Sequence, residues 1–108
     1  MDRDALVAKY LELTREQLPQ RAAAPEVRWP VRYDHCFQRI VLDHVCQGVW
    51  YEHIAKPAYR NLTARQAADA VSLCDRIISG EADLHWLNQQ SLAWRGKLRN
   101  TAVSERRF

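Results

Sequence analysis

Two Asp-His pairs nine residues apart, each closely followed by a cysteine, lie in "RYDHCFQRIVLDHVC" (residues 32–46). These are side chains that bind metals, move protons or attack carbonyl carbons. A zinc site needs about four ligands within about 2.0–2.3 Å of the ion. On a helix, His35 and His44 stand about 13 Å apart along the axis and point in nearly opposite directions, so they cannot share one ion. Asp43 with Cys46, or with Gln47, can meet, but these are poor pairs for zinc. Cys36 beside His35 suggests a thiolate–imidazole pair, yet adjacent helical residues diverge by about 100°. A more distant histidine, His53 or His85, would have to act on Cys36. The sequence therefore predicts no metal and no cofactor, and it assigns no catalytic residue. His44, among Phe37, Ile40, Val41 and Val45, is expected to be half-buried, with its ring donating to a carbonyl or carboxylate. Arg39 and Asp43, at i and i+4, are expected to pair on the exposed face. Cys74 falls in an apolar stripe and is expected in the core.

Three further stretches, "VRWPVRYDH", "WYEHIAKPAYRN" and "LAWRGKLRN", mix aromatic with basic residues. Aromatic faces stack on bases while cations hold phosphates. Arg28, Trp29, Arg32, Tyr33, His35, Arg39, Lys56, Tyr59, Arg60, Arg95 and Lys97 are accordingly the expected anion-binding residues. Tyr51, His53, Trp94 and Arg99 belong to the same stretches. The same interleaving also arises where Trp and Tyr anchor a small core covered by Arg.

These residues need elements to position them. The chain has 108 residues, 47% of them hydrophobic, with 3 Gly and 4 Pro. So few turn residues argue for helices. "MDRDALVAKYLELTREQL" carries Leu6, Tyr10, Leu13 and Leu18 at helical spacing, with Asp2 or Asp4 as cap and Pro19 as stop. An irregular segment with Pro25 and Pro30 follows, with Trp29 packed on the body. A second helix spans 33–47 and is ended or bent at Gly48; "VWYEHIA" forms a short helical turn closed by Pro57. Thr63-x-x-Gln66 is a capping box opening a third helix. Its stripe is Ala67, Ala70, Val71, Cys74, Ile77 and Ile78, with Gly80 past its end. "LTARQAADAVSLCDRII" resembles the start of a helix-turn-helix, but no glycine stands near Ser72, so one continuous helix is expected. A fourth helix runs from about Ala82 to Gly96, with Leu84, Leu87, Ser91, Trp94 and Leu98 on one face. The expected fold is all-α: a compact bundle of about four helices in one domain (1–100), with a polar tail (101–108).

The net charge of +3 and pI of about 9.0 are unevenly spread. Residues 91–108 carry Arg95, Lys97, Arg99, Arg106 and Arg107 against Glu105 alone. A basic end on a more neutral body suits a polyanion. The 3 cysteines cannot form a complete disulfide framework. No apolar run approaches eighteen residues and no apolar leader is present, so a membrane is not expected; a cytoplasmic protein with reduced thiols is.

Residues 28–97 resemble small uncharacterised bacterial proteins often labelled N-acetyltransferase-like. "RWPVRYDHCFQRIVLD", "AYRNLT" and "LNQQSLAWRGK" carry the resemblance. That label implies a mixed sheet around acetyl-coenzyme A and a phosphate loop of the form Arg/Gln-x-x-Gly-x-Gly/Ala. Gly48, Gly80 and Gly96 are the only glycines, and none lies in such a pattern, so no catalytic residue is carried over. The expected function is a non-catalytic bacterial module that binds nucleic acid or another polyanion. The alternatives are a small transferase-like enzyme with a Cys/His/Arg pocket near residues 35–60, and a protein-interaction module that pairs with itself or with another protein.

Overall fold

The structure is a computed structural model that describes residues 1–97, and every structural statement here refers to those residues. All of its regular elements are helical, as the composition led one to expect. In chain order they are α1 (Arg3–Glu12), a π-helical turn (Leu13–Gln17), α2 (Leu18–Ala22), α3 (Asp34–Cys46), a 3-10 turn (Trp50–Glu52), α4 (Ala58–Asn61), α5 (Ala64–Ser79) and α6 (Leu84–Trp94). Among the described residues, no helix is long and apolar enough to cross a membrane.

The first helix departs from expectation at Pro19. The chain stays helical to Ala22, and Glu12, Leu13, Gln17 and Leu18 all keep right-handed helical dihedrals. Proline lacks an N–H and its ring crowds the carbonyl four residues back. The π turn widens the rod just before Pro19, with Leu18 N–H bonding five residues back to the Leu13 carbonyl. A widened turn accommodates a proline that a regular α-helix would not. It also buries Leu13 and Thr14 together. Thr14 donates to the Tyr10 carbonyl and accepts from Gln38 of α3, so its hydroxyl is satisfied.

Local signals govern α5. Thr63 and Gln66 form both halves of the capping box. Ala67, Ala70, Cys74 and Ile77 are buried, and Gly80 takes the left-handed conformation (φ 86°) that closes the helix. No break occurs near Ser72, which excludes the helix-turn-helix reading for this segment. Helix α6 starts at Leu84 rather than Ala82, because Asp83 caps it by accepting from the His85 and Trp86 N–H groups. Leu98, Arg99 and the tail 101–108 lie outside the described residues.

Helix α3 is the central element, packed against α5, α6 and the π turn. Phe37, Ile40, Val41 and Leu42 are buried around it. Its stop is Gln47, left-handed at φ 57°, rather than Gly48. Gln47 donates its side-chain amide to the His44 carbonyl, and the Gly48 N–H bonds the Asp43 carbonyl. Trp29 packs edge-on to Phe37 at 5.9 Å, so the Pro-containing segment is laid over the body as expected. Arg3 ties the start of α1 to the end of α4 by donating to the carbonyls of Tyr59, Arg60 and Leu62. That tie fixes the segment carrying Lys56 and Tyr59.

Candidate functional site

Asp43 was expected on an exposed face, paired with Arg39. Instead its side chain is fully buried (0%) between α3 and α6. A buried carboxylate is costly unless charge and hydrogen bonds compensate it. Asp43 has both. One oxygen accepts from the Trp50 N–H (3.0 Å) and Arg95 Nη2 (3.0 Å). The other accepts from Arg95 Nε (2.8 Å) and the Ser91 hydroxyl (2.7 Å). The Arg95 contact is a two-pronged, charge-assisted pair, and it holds the Arg95 pKa above its ordinary value.

Arg39 joins the same network from the other side. Its Nη1 donates to the Ser91 hydroxyl (2.8 Å) and its Nη2 to Asn88 Oδ1 (2.7 Å). Ser91 thus accepts from Arg39 and passes its own proton to Asp43. Burial lowers the Arg39 pKa, but a guanidinium stays charged in proteins. Two arginines are therefore fixed around one carboxylate. The pairing is cross-helical because the α3 face carrying Asp43 packs against α6, which carries Ser91 and is capped at its end by Arg95.

Above this network lies a groove of about 640 Å³. Its walls come from Tyr10 and Leu11 of α1, Arg15 of the π turn, α3 through His35 and Arg39, the Trp50–Tyr51 turn, the Lys56–Tyr59 segment, and Arg95. Among the described residues, four cations line it (Arg15, Arg39, Lys56 and Arg95), and no Asp or Glu does. Tyr51 carries Lys56 Nζ at 4.7 Å and the Arg95 guanidinium at 5.4 Å from its ring centre. Tyr59 has Arg15 and Arg60 each at 5.8 Å. Cations gathered on aromatic faces gain attraction from the rings.

The expected anion-binding residues divide. His35, Arg39, Lys56, Tyr59 and Arg95 line the groove, with Arg60 at its edge over Tyr59. Tyr33 and His35 stack on each other (6.0 Å, 3°) at the start of α3. Trp29 serves packing, on Phe37. Arg28 and Arg32 are exposed and do not line the groove; Arg28 donates to the Pro25 carbonyl. Lys97 is exposed just past α6. Tyr10 and Arg15 were missed, because nothing in the first helix's own pattern shows that its far end faces α3.

A second cavity of about 730 Å³ lies among α3, α5 and α6. Asp69, Glu81 and Asp83 line it with Arg76, so it does not concentrate positive charge. His44 lies on its wall between Trp94 (4.9 Å) and Trp86 (5.7 Å). Its Nε2 is 2.9 Å from the Leu87 carbonyl, so the proton sits on Nε2 and donates, as expected. Burial lowers the His44 pKa, partly opposed by that carbonyl. The unfolded chain therefore binds more protons than the folded one as pH drops through the imidazole range. Stability should be fully present above about pH 6.5 and fall as pH is lowered toward the folded value. Urea unfolding at pH 7.5 and 5.5 reads this effect, and His44→Gln should remove part of the pH dependence. An unchanged pH dependence would mean His44 does not contribute.

Cys74 is buried in the core and its thiol is pushed up to about 12 by burial. Burial also raises the Cys46 thiol. All three cysteines are free, and Cys36 does not line the groove. No group of three His, Cys, Asp or Glu side chains among the described residues is placed to hold a metal ion. Comparison with protein-family models, curated proteins and solved structures finds no match.

Proposed function

We propose that this chain is a non-catalytic module that binds a polyanion, single-stranded nucleic acid first, in the groove over Asp43. The observation that carries this reading is the single sign of charge: Arg15, Arg39, Lys56 and Arg95 line a groove that no Asp or Glu lines. With Asp43 beneath, four positive charges and one negative leave a net +3. Tyr51 and Tyr59 supply stacking faces, which tolerate any base. Three free thiols suit a reducing compartment, and a cytoplasmic setting is part of the proposal. Of the Cys/His/Arg pocket of the enzyme alternative, His35 and Arg39 line the groove and Cys36 does not.

Calorimetric titration with an oligothymidylate at two salt concentrations tests the proposal. Neutralising about three phosphates of a single strand gives a log–log salt slope near −2, so affinity should drop about tenfold to twentyfold between about 50 and 200 mM salt. Binding that ignores salt would count against a phosphate-led interaction.

A further inference from the structure

We infer that the groove takes a terminal phosphate monoester carried on an aromatic base, the phosphorylated end of a strand or a free mononucleotide, in preference to the phosphodiesters inside a strand. The inference rests on the polyanion reading and names the group that reading leaves open.

The charges at the inner end of the groove are paired unequally. Arg95 uses Nε and Nη2 on Asp43, which leaves its Nη1 without a partner among the described residues. Arg39 uses Nη1 and Nη2 on Ser91 and Asn88 and has the Cys36 thiol as a further partner. Lys56 shares the Tyr51 ring with Arg95 and has no carboxylate partner there. Three positive heads thus line the groove with one buried carboxylate beneath them, a local excess of two. A phosphodiester carries one negative charge, whereas a monoester carries about −1.5 to −2 at pH 7. The monoester matches the excess and the diester leaves part of it uncompensated.

Geometry points the same way. Asp43, Ser91 and Asn88 anchor both guanidiniums, so their charges and the free Arg95 Nη1 are held in place before a ligand arrives. A tetrahedral anion with several free oxygens can accept from Arg95 Nη1 and Lys56 Nζ together, and a monoester offers three. A volume of about 640 Å³ is that of a site for one small molecule, enough to seat one terminal nucleotide while the rest of a strand runs on past the groove. Tyr59 and Trp50, also in the lining, give the base a face to stack on.

The test compares five probes by calorimetry at about 150 mM salt: an oligothymidylate with hydroxyl ends, the same strand phosphorylated at its 5′ end, the same strand phosphorylated at its 3′ end, thymidine 5′-monophosphate, and inorganic phosphate. A phosphorylated end should tighten binding by about tenfold or more, the effect of one or two added charge-assisted hydrogen bonds. The mononucleotide should compete with that strand, and inorganic phosphate should bind more weakly than the mononucleotide. Lys56→Gln should erase most of the preference for a phosphorylated end with only a small change in thermal unfolding, because Lys56 is exposed and loses only its contact with the Tyr51 ring. Equal affinity for all three strands would overturn the inference and leave the polyanion reading standing. Binding of the mononucleotide alone would keep the inference and end the nucleic-acid reading. Inorganic phosphate as tight as the mononucleotide would overturn the aromatic half. Silence from every probe would end both readings.

Discussion

Asp43→Asn is expected to lower the free energy of unfolding by about 3–5 kcal/mol, the cost of breaking a buried ion pair by removing one partner. The substitution keeps the size of the side chain. It replaces one oxygen with an amide that donates, in a place where the Trp50 N–H, the Ser91 hydroxyl and both prongs of Arg95 already donate. Arg95 then loses its counter-charge with its side chain mostly shielded (15% exposed), and Arg39 loses the far end of the Ser91 relay. A domain of this size has about 5–15 kcal/mol of total stability, so the variant is expected to melt far below the parent. Urea unfolding followed by circular dichroism measures it. The double variant Asp43→Asn with Arg95→Met should be less damaged than the sum of the single ones, since it removes the orphaned charge. A single-site loss below about 1 kcal/mol would show that solvent screens the pair as it does at a surface.

The double variant Arg15→Gln with Lys56→Gln is expected to cost about tenfold to a hundredfold in affinity for an oligothymidylate at low salt, with the salt slope reduced by about 0.7 for each lost phosphate contact. Both residues are exposed and neither makes a side-chain hydrogen bond among the described residues. Their replacement removes two exposed cation–π contacts and should cost about 1–2 kcal/mol, which leaves the domain folded, so weaker binding cannot be blamed on unfolding. The matched control is Arg28→Gln with Arg32→Gln. It removes the same charge from sites that do not line the groove. If the control loses as much affinity as the groove variant, overall positive charge attracts the polyanion and the groove is not its site.

Those two pairs of arginines and lysines mark where sequence reasoning succeeds and where it stops. Thr63, Gln66 and Gly80 bound α5 in the structure as the spacing predicts, because caps and left-handed turns are decided by the residues within them. The same holds for Phe37, Ile40 and Val41 on α3, and for His44, whose apolar neighbours implied a half-buried ring. Asp43 fails the local test. Its chain neighbours describe a surface position, and only the packing of α6 against α3 makes it a buried counter-ion. Pro19 fails for a related reason: a π turn leaves no composition signature, and its benefit lies in tertiary contacts such as Gln38 on Thr14. Of the three aromatic and basic stretches, the fold gathers parts of all three at one groove and adds Arg15 from a helix that carries no such pattern. Arg28 and Arg32 sit beside the right residues in sequence and away from them in space.

The placement of the four tryptophans should let fluorescence follow two separate events. Trp50 alone lines the cationic groove, so a base stacking there dims or shifts only its light. Trp86 and Trp94 flank His44, and an imidazolium ring draws excited-state electrons from an indole beside it. Acidification is read by that pair, and Trp29, edge-on to Phe37, stays as a steady background. Occupancy of the groove and protonation of His44 thus report through different indoles, and replacing Trp50 by Phe would leave the second signal while silencing the first.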